Sequence, residues 1–518
     1  MPDDLLTSVQ EGYAFEGPAL ELGALVVDGT AHPEAAVRIP LAMVNRHGLV
    51  AGATGTGKTK TLQLMAEQLS AQGVPVVAAD IKGDLSGLAS PGESGAKISE
   101  RAKDVGQQWQ ALACPTEFYA LGGEGNGIPL RATITSFGPT LLAKVLALND
   151  VQESSLGLVF HFADKAGLPM LDLKDLRAVV AFLVSDEGED ALEGLGGLSP
   201  ATAGVILREL IAFEDQGADA FFGEPEFDTV DLMRTTADGK GIVSLLELPQ
   251  LQDRPRLFST FLMWLLADLF HDLPEVGDID KPKLVFFFDE AHLLFADASK
   301  AFLEAIAQTV RLIRSKGVGV FFVTQTPKDV PGDVLAQLGN RVQHALRAFT
   351  PDDAKALKAT VSTFPHSPYD LEELLTQVGI GEAVITVLSD RGAPTPVAWT
   401  RLRAPQSRMA PTQDARIAEI IAASPLHAKY SEAVDRESAY ERLAAKLAPP
   451  GAAPTADDPA PVEPEPPAPT RPTRAEESAI EKAVRSPAAK QFARSAAAVL
   501  GREIARSIFG TSRRRRPR

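Results

Sequence analysis

The feature that most constrains the fold of this chain is a phosphate-binding loop near its N-terminus. Its eight residues are Gly52-Ala53-Thr54-Gly55-Thr56-Gly57-Lys58-Thr59, a complete G-x-x-x-x-G-K-T pattern. Glycines in such a loop let backbone N–H groups turn toward phosphate oxygens, while the lysine reaches the β- and γ-phosphates. The following helix directs its positive dipole end at the same charge. The loop therefore predicts a nucleoside triphosphate site that extends from Ala53 to Lys60, with the Thr59 hydroxyl on Mg²⁺.

The residues on either side of the loop support this interpretation. Residues 47–51 are typical of a short strand, and residues 59–69 have the apolar spacing of a helix. A chance glycine-rich turn is the alternative, and it does not account for a strand before the loop and a helix after it.

A second motif supplies acidic groups. Residues 284–288 are a continuous apolar run, and Asp289 and Glu290 follow it directly. Such a run predicts a strand buried on both faces, whose carboxyl end brings both carboxylates to the phosphate site. We expect Asp289 to hold Mg²⁺ together with Thr59, and Glu290 to orient and deprotonate the attacking water. A solvated strand end is the alternative for an isolated acidic pair.

A third apolar strand is predicted over 318–323, and it ends at Thr324 and Gln325. In nucleotidases of this class, such a strand lies between the loop strand and the acidic strand. Gln325 is therefore the predicted sensor of the γ-phosphate, with the capping of a turn as its alternative role.

Composition limits the other function classes. The chain has 518 residues, of which 45% are hydrophobic, and this is enough for a large buried core. A single cysteine, Cys114, excludes an internal disulfide and suits a reducing cytosol. No signal peptide or membrane span is predicted, since the most apolar stretch, 257–270, is too short and contains an aspartate. We therefore expect a cytoplasmic protein.

The formal net charge is −17 at pH 7. This disfavours a basic coat that binds nucleic acid over the whole surface, but it is compatible with a basic channel.

The predicted fold class is α/β, with a mostly parallel central sheet. An N-terminal entry segment covers 1–40, and the core is divided between 41–90 and 236–405. The range 91–235 is predicted to be an inserted helical region, since many more residues separate the loop from the acidic strand than a minimal nucleotidase core needs. A helical extension over 406–448 precedes the C-terminal part of the chain.

The C-terminal part is predicted to have two segments. Residues 449–475 are rich in proline, alanine and acidic residues, which is typical of a disordered linker. Residues 476–518 return to helical composition and end in an arginine-rich tail. This basic helix is expected to dock on a neighbouring subunit, a protein partner, nucleic acid or an anionic membrane, or to pack on its own domain.

Longer blocks around these motifs resemble the YjgR group of bacterial ATPases. The blocks are 45–59, 80–85, 287–295, 312–320, 324–325 and 337–347, and together they extend over about residues 40 to 405. This group is similar to the HerA/FtsK superfamily of RecA-like (ASCE) P-loop NTPases, which are hexameric motors on DNA or protein-translocation substrates. The resemblance implies ATP and Mg²⁺ as ligands, and a homo-oligomeric ring in which a neighbouring subunit supplies an arginine. Arg314 is the first candidate and Arg341 the second, with a surface salt bridge as the alternative for each.

The resemblance predicts a ring-forming ATPase motor, a DNA helicase or translocase of the HerA type. The chain lacks the membrane-spanning front end of FtsK and a full-length N-terminal β-barrel of the HerA kind, so its cargo does not follow from the resemblance. The alternative is an ATP-dependent assembly switch or scaffold that regulates a partner without moving DNA. Protein translocation at a membrane is a third option, supported only by the basic C-terminal helix.

Residues 289–292 also spell the Asp-Glu-Ala-His box of a different helicase superfamily. Those enzymes carry two RecA-like lobes in one chain. The roughly 120 residues between Gln325 and the linker are too few for a second lobe. His292 is therefore interpreted as a residue at the exit of the acidic strand, with contact to Gln325 or a phosphate as an alternative.

Overall fold

The computed structural model describes residues 2–122, 125–192, 196–248, 254–295, 298 and 300–447. The described residues all belong to the first of two units along the chain, Met1–Pro449. The linker predicted over 449–475 and the helix predicted over 476–518 lie outside the described residues.

Within the described residues, one large sheet forms the centre of the first unit. Its twelve strands are β1 (Ala19–Val27), β2 (Thr30–Pro40), β3 (Gly48–Ala51), β4 (Val76–Asp80), β5 (Thr116–Leu121), β6 (Ile128–Leu130), β7 (Val243–Glu247), β8 (Leu284–Phe288), β9 (Val318–Thr324), β10 (Asn340–Gln343), β11 (Glu382–Thr386) and β12 (Ala398–Leu402). Their spatial order is β2-β1-β12-β11-β10-β3-β9-β8-β4-β7-β5-β6.

The strands from β10 to β6 in this order are parallel, whereas β11, β12, β1 and β2 pair antiparallel. β3, β4, β8 and β9 are buried along their whole length. Parallel strands covered on both faces carry continuous apolar runs, which explains the composition of 284–288 and 318–323. The predicted α/β fold with a mostly parallel sheet is thus present.

Helices cover both faces of the sheet and form a separate helical part. The described helices are α1 (Pro2–Gly12), α2 (Lys58–Ala71), α3 (Ala96–Asp104), α4 (Ile134–Phe137), α5 (Pro139–Val145), α6 (Asp150–Lys165), α7 (Leu173–Leu183), α8 (Asp186–Glu189), α9 (Pro200–Glu214), α10 (Pro255–Asp272), α11 (His292–Phe295), α12 (Lys300–Ile313), α13 (Gly332–Leu335), α14 (Pro351–Val361), α15 (Leu371–Gln377), α16 (Asp414–Ala423), α17 (Pro425–Tyr430) and α18 (Ala439–Leu447).

The range 91–235 differs from a purely helical insertion. β5 and β6 lie within it and extend the central sheet, so the helical part begins only at Ile134. β5 contains a buried carboxylate, Glu117, which accepts hydrogen bonds from Ser424 Oγ at 2.8 Å and from the Arg234 guanidinium. These partners are distant in sequence, so the local pattern gave no sign that this carboxylate belongs to a buried strand.

The apolar stretch 257–270 lies within α10, where side chains such as Phe258, Phe261 and Leu265 are fully buried. α10 thus packs in the core. Among the described residues, no helix has both the length and the apolar character needed to cross a bilayer.

Candidate active site at the carboxyl edge of the sheet

The phosphate loop connects β3 to α2, and its backbone depends on glycine. Gly55 and Gly57 have φ values of 81° and 118°, which is the left-handed region. A Cβ atom on Gly52 would lie 2.4 Å from the Cβ of His344. α2 begins at Lys58, directly after Gly57, so its free N–H groups face the loop.

The Lys58 side chain folds back across the loop. Its Nζ donates hydrogen bonds to the carbonyls of Gly52 at 2.7 Å and Ala53 at 3.3 Å. Burial lowers the pKa of Lys58, and the negative charges of Glu290 and Asp289 oppose this change. The ammonium group therefore lies within the electrostatic range of the acidic pair, as a triphosphate site requires.

His344 supports the loop from behind. It follows β10, and its backbone N–H donates to the Ala51 carbonyl at 2.7 Å. Its ring Nε2 lies 2.9 Å from the Thr61 hydroxyl, within hydrogen-bond distance. Burial and the nearby Lys58 charge lower the pKa of His344 to about 4, so the ring is neutral near pH 7. His344 was not among the residues predicted to form the site.

Asp289 lies where the sequence predicted it, directly after β8. Its Oδ1 accepts the Glu290 N–H at 2.9 Å, while its Oδ2 is buried and has no hydrogen-bond partner. Burial, together with the charge of Glu290, raises the pKa of Asp289 to about 7. A buried carboxylate oxygen without a donor fits a ligand of a hard cation such as Mg²⁺.

Glu290 has an unusual backbone and two basic neighbours. Its φ is 47°, which is rare for a residue with a side chain and costs about 1–3 kcal/mol. Its Oε1 accepts a hydrogen bond from Lys82 Nζ, and its Oε2 lies 3.3 Å from His292 Nδ1. The carboxylate is thus held in a defined direction beside the phosphate loop, as a group that orients water must be.

Lys82 lies at the site but was not among the predicted site residues. It lies on the turn after β4, which is built on the buried carboxylate of Asp80. That carboxylate accepts backbone hydrogen bonds from Lys82, Gly83 and Leu85 at 3.1, 2.8 and 2.7 Å. Burial alone would lower the pKa of Lys82, but its hydrogen bond to Glu290 raises it. The sequence feature that could have identified Lys82 is its position at the carboxyl end of a parallel strand.

The other predicted residues separate into two groups. Gln325 is exposed and follows β9, which lies between β3 and β8 as predicted. The Gly52 N–H donates to the Thr324 carbonyl at 3.2 Å, so Gln325 lies at the same edge as the loop and Asp289. Arg314 and Arg341 instead lie at the amino ends of β9 and β10.

The two arginines also differ in their contacts. Arg314 is exposed, whereas the Arg341 guanidinium donates to the Thr363 carbonyl at 3.0 Å, and burial lowers its pKa. Another arginine lies nearer to the loop of its own chain: the exposed Arg347 donates to the Thr54 carbonyl at 3.3 Å. Arg347 ends the block 337–347 that resembles the YjgR group, but no role was predicted for it.

No group of three or more histidine, cysteine, aspartate or glutamate side chains among the described residues could hold a metal ion alone. A Mg²⁺ ion at this edge would therefore depend on the Thr59 hydroxyl, Asp289 and the oxygens of a bound nucleotide.

Comparison with solved structures relates this arrangement to plasmid coupling proteins. The chain is similar to the bacterial conjugative coupling protein TrwBΔN70, with 16% identity and a TM-score of 0.51 over 79% of this chain and 94% of that one. It is also similar to TrwB in complex with the GTP analogue GDPNP, with 17% identity and a TM-score of 0.51 over 77% of this chain and 99% of that one. For TrwB in complex with ADP and Mg²⁺, the values are 16%, 0.50, 77% and 98%.

At these identities the similarity concerns the fold, and it confirms the predicted RecA-like P-loop architecture. The search of curated proteins found no match. A profile of the helicase HerA-like C-terminal family matches residues 26–516. The predicted relation to HerA is thereby confirmed, and the chain belongs to the helicase HerA-like C-terminal family.

Proposed function

We propose that this chain is a Mg²⁺-dependent ATPase that assembles into a ring and moves DNA. The observation that carries the proposal is the convergence of Lys58 with Asp289 and Glu290 at one edge of the sheet. These groups are far apart in sequence, yet β3, which precedes the loop, and β8, which precedes the two carboxylates, both pair in parallel with β9. TrwB, which has the same fold, was solved with ADP and Mg²⁺.

Each residue of the site has its own role in the proposed hydrolysis of ATP. Backbone N–H groups of the loop and the Lys58 ammonium hold the phosphates. The Thr59 hydroxyl and Asp289 hold Mg²⁺, which supplies positive charge to the phosphate oxygens. Glu290 orients the attacking water and accepts its proton, and Gln325 contacts the γ-phosphate from the end of β9.

An arginine from a neighbouring subunit completes the site in this proposal. β9 has seven residues and is therefore roughly 20 Å long, so Arg314 at its amino end is too far from the loop of its own chain. An exposed arginine in this position serves a nucleotide only across an interface. Arg341 is the second candidate, although its hydrogen bond to Thr363 would have to break.

DNA is the proposed cargo, and a cytoplasmic location is expected. The family to which the chain belongs carries helicase in its name. Cys114 is a buried free thiol, which requires no oxidising compartment. The acidic net charge of −17 means that DNA would have to enter a locally basic channel.

Phosphate release from ATP, measured with and without DNA over a range of salt concentrations, tests the proposal. We expect DNA to stimulate hydrolysis, and the stimulation to fall steeply as salt increases because phosphate contacts release counterions. Electron microscopy of particles with an ATP analogue should show rings, and rings with added DNA should contain density in the channel.

The same two measurements separate the motor from the assembly switch. Rings that form with ATP but neither bind DNA nor respond to it would favour a scaffold that regulates a protein partner. A chain that neither binds nor hydrolyses ATP would contradict both functions.

A further inference from the structure

A large cavity opens at the carboxyl edge of the sheet, beyond β8 and β4. Residues 125–127 between β5 and β6, Glu247 at the end of β7, the face of α16 from Asp414 to Ala422, and His427 of α17 line it. We call it the distal cavity. Its volume is about 960 Å³, which is within the range of pockets that hold organic ligands.

The strand order separates the distal cavity from the phosphate loop. β7 is the fourth strand after β3, beyond β9, β8 and β4. Since neighbouring strands are about 4.8 Å apart, Glu247 lies roughly 19 Å across the sheet from the strand that carries the loop. The described residues that line the cavity include two acids, Glu247 and Asp414, but no lysine or arginine. The distal cavity therefore does not suit a phosphate group.

Glu247 is a partly buried carboxyl group whose charge lacks a favourable partner. Its Oε1 is buried and has no hydrogen-bond partner among the described residues. Burial, and then the negative charge of Asp80 on the adjacent β4, raise the pKa of Glu247 to about 7. Both effects disfavour the carboxylate form, and a cation bound in the cavity would oppose both.

The remaining polar groups of the cavity also suit a positive charge. Asp414 adds a second, exposed carboxylate, and Asn126 adds an amide oxygen that can accept a hydrogen bond. The nearby Arg416 on α16 does not line the cavity, since its guanidinium donates to Glu419 at 3.0 Å. The acceptors that face the cavity are thus available to a ligand that donates hydrogen bonds.

The rest of the lining favours an organic cation over a metal ion. Hard metal ions require about six oxygen ligands, and no group of three or more histidine, cysteine, aspartate or glutamate side chains in the described part of the chain could hold one. α16 supplies an apolar wall instead. Ile417 and Ile421 are four residues apart, so they lie on one face of the helix, and both are half-buried.

From this arrangement, we infer that the distal cavity binds an organic cation, an ammonium or guanidinium group on an apolar stem. The charged group bonds to Glu247, and the stem lies against Ile417 and Ile421. Two sources carry this chemistry: a free alkyl amine or guanidine, and the lysine or arginine side chain of a peptide. The cavity is separate from the phosphate loop, so the inference does not depend on the proposed function.

Calorimetry with the full-length protein tests the inference with three ligands. They are a capped leucyl-arginyl-leucine tripeptide, the same peptide with neutral citrulline in place of arginine, and the free guanidine agmatine. The arginine peptide should bind at least about tenfold more tightly than the citrulline peptide, because only a charged guanidinium makes a charge-assisted bond to a carboxylate. The inference is overturned if the protein does not distinguish the two peptides and does not bind agmatine.

The affinity for agmatine distinguishes the two sources. If agmatine binds at least as tightly as the arginine peptide, the ligand is a free amine or guanidine. If the arginine peptide binds more tightly, the ligand is a basic side chain of a peptide. Either result supports an organic cation in the distal cavity.

Glu247→Gln locates the binding site, which is necessary because a chain with a net charge of −17 attracts cations elsewhere. The amide keeps the shape of the side chain and removes its charge. Affinity for the tighter of the two cations should fall at least about tenfold, while the citrulline peptide binds as before. Glu304→Gln is the matched control, since the Glu304 side chain is 65% exposed. The same cation affinity in both variants would overturn the inference.

Ala418→Trp provides a second variant that should fold, since Ala418 is exposed on the wall of the cavity. The indole fills space that the ligand needs, so affinity for the cation should fall at least about tenfold. Ala423→Trp places the same side chain at the exposed end of α16, outside the lining, and should bind like the wild type. Equal cation affinities in the two tryptophan variants would contradict binding in the distal cavity.

Discussion

The loop half and the acidic half of the site differ in how their polar groups are satisfied. In the loop half, Gly52–Thr61 with His344, the Lys58 ammonium bonds to two carbonyls of its own loop, although Nδ1 of the neutral His344 ring is buried without a hydrogen-bond partner. The Thr56 hydroxyl likewise donates to the Ala53 carbonyl at 2.7 Å. In the acidic half, Asp289, Glu290 and Lys82, Oδ2 of Asp289 is buried without a hydrogen-bond partner. Oε2 of Glu290 is also buried without a hydrogen bond, although His292 Nδ1 lies 3.3 Å from it.

This contrast shows which half depends on a ligand. The loop half holds its shape through its own hydrogen bonds, so it is ready to receive phosphate. The acidic half contains two adjacent carboxylates, and burial and mutual repulsion raise the pKa of Asp289 to about 7. A divalent cation would offset that repulsion, so we expect binding defects from the loop half and turnover defects from the acidic half.

The largest effect is expected from Lys58→Ala in the loop half. This change removes the buried cation that reaches the phosphates, so affinity for an ATP analogue should fall at least about a hundredfold and hydrolysis should be lost. Calorimetry and phosphate release measure the two quantities. Lys355→Ala is the matched control, because the Lys355 side chain is 80% exposed. Wild-type affinity in Lys58→Ala would contradict the assignment of nucleotide binding to the loop half.

Glu290→Gln tests the acidic half. The amide keeps the shape of the side chain but cannot accept a proton from water, so kcat should fall about a hundredfold to ten-thousandfold. Binding of the ATP analogue should remain near the wild-type value. Glu304→Gln on α12 is the control, since the Glu304 side chain is 65% exposed. Unchanged steady-state hydrolysis in Glu290→Gln would refute the assigned role.

Acid should lower the stability of the folded protein through His344, which contacts the loop half. Burial lowers its pKa to about 4 in the folded state, below the ordinary value of 6.5, so the unfolded chain binds the proton more readily. The stabilising contribution is therefore complete above the ordinary pKa and is lost as pH falls toward 4. Lowering the pH from about 7.5 to 5 should therefore reduce the free energy of unfolding by on the order of 2 kcal/mol through His344.

Urea unfolding of wild type and His344→Asn at both pH values measures this contribution. Buried carboxyl groups with raised pKa values, such as Glu67 at about 7, change stability in the opposite direction. The informative quantity is consequently the difference between the two proteins. His161→Asn, which changes an exposed histidine, should retain the wild-type dependence on pH. A pH dependence in His344→Asn equal to that of the wild type would exclude this role.

The parts of the site that were predictable from the sequence are those built from local patterns. The loop requires glycines and a lysine at fixed spacing, and β8 and β9 are apolar runs with polar residues at their carboxyl ends. The placement of β9 between β3 and β8 was predicted and is present. These features depend on the backbone and on neighbours in sequence.

The remaining features depend on contacts between distant segments. Lys82 reaches Glu290 only because β4 pairs with β8, and His344 lies behind the loop only because β10 pairs with β3. β5 was not predicted, because a charged residue argues against a buried strand. Glu117 is buried there only because Arg234 and Ser424, which are distant in sequence, donate hydrogen bonds to it. Periodicity does not encode such pairs, so candidates for the reacting groups could be named from the sequence, but the residues that hold them could not.

The smallest effect is expected from Lys82→Gln, which tests a residue that positions Glu290. The hydrogen bond from Lys82 Nζ fixes the direction of the Glu290 carboxylate, whose backbone is already in a rare conformation. Without it, kcat should fall about tenfold, while KM stays within about twofold because the loop half is unchanged. Lys82→Arg should recover part of the rate, since the guanidinium also donates to a carboxylate.

Steady-state kinetics of these two variants and of Lys281→Gln, whose lysine donates to the Gln72 carbonyl at the surface, separate positioning from general stability. If the change in Lys82→Gln appears only in KM, Lys82 binds phosphate, as the loop half does, and does not position Glu290. An equal loss in Lys281→Gln would mean that the rate follows stability and not the direction of one carboxylate. A loss in kcat alone, with recovery in Lys82→Arg, is the pattern that only a positioned Glu290 produces.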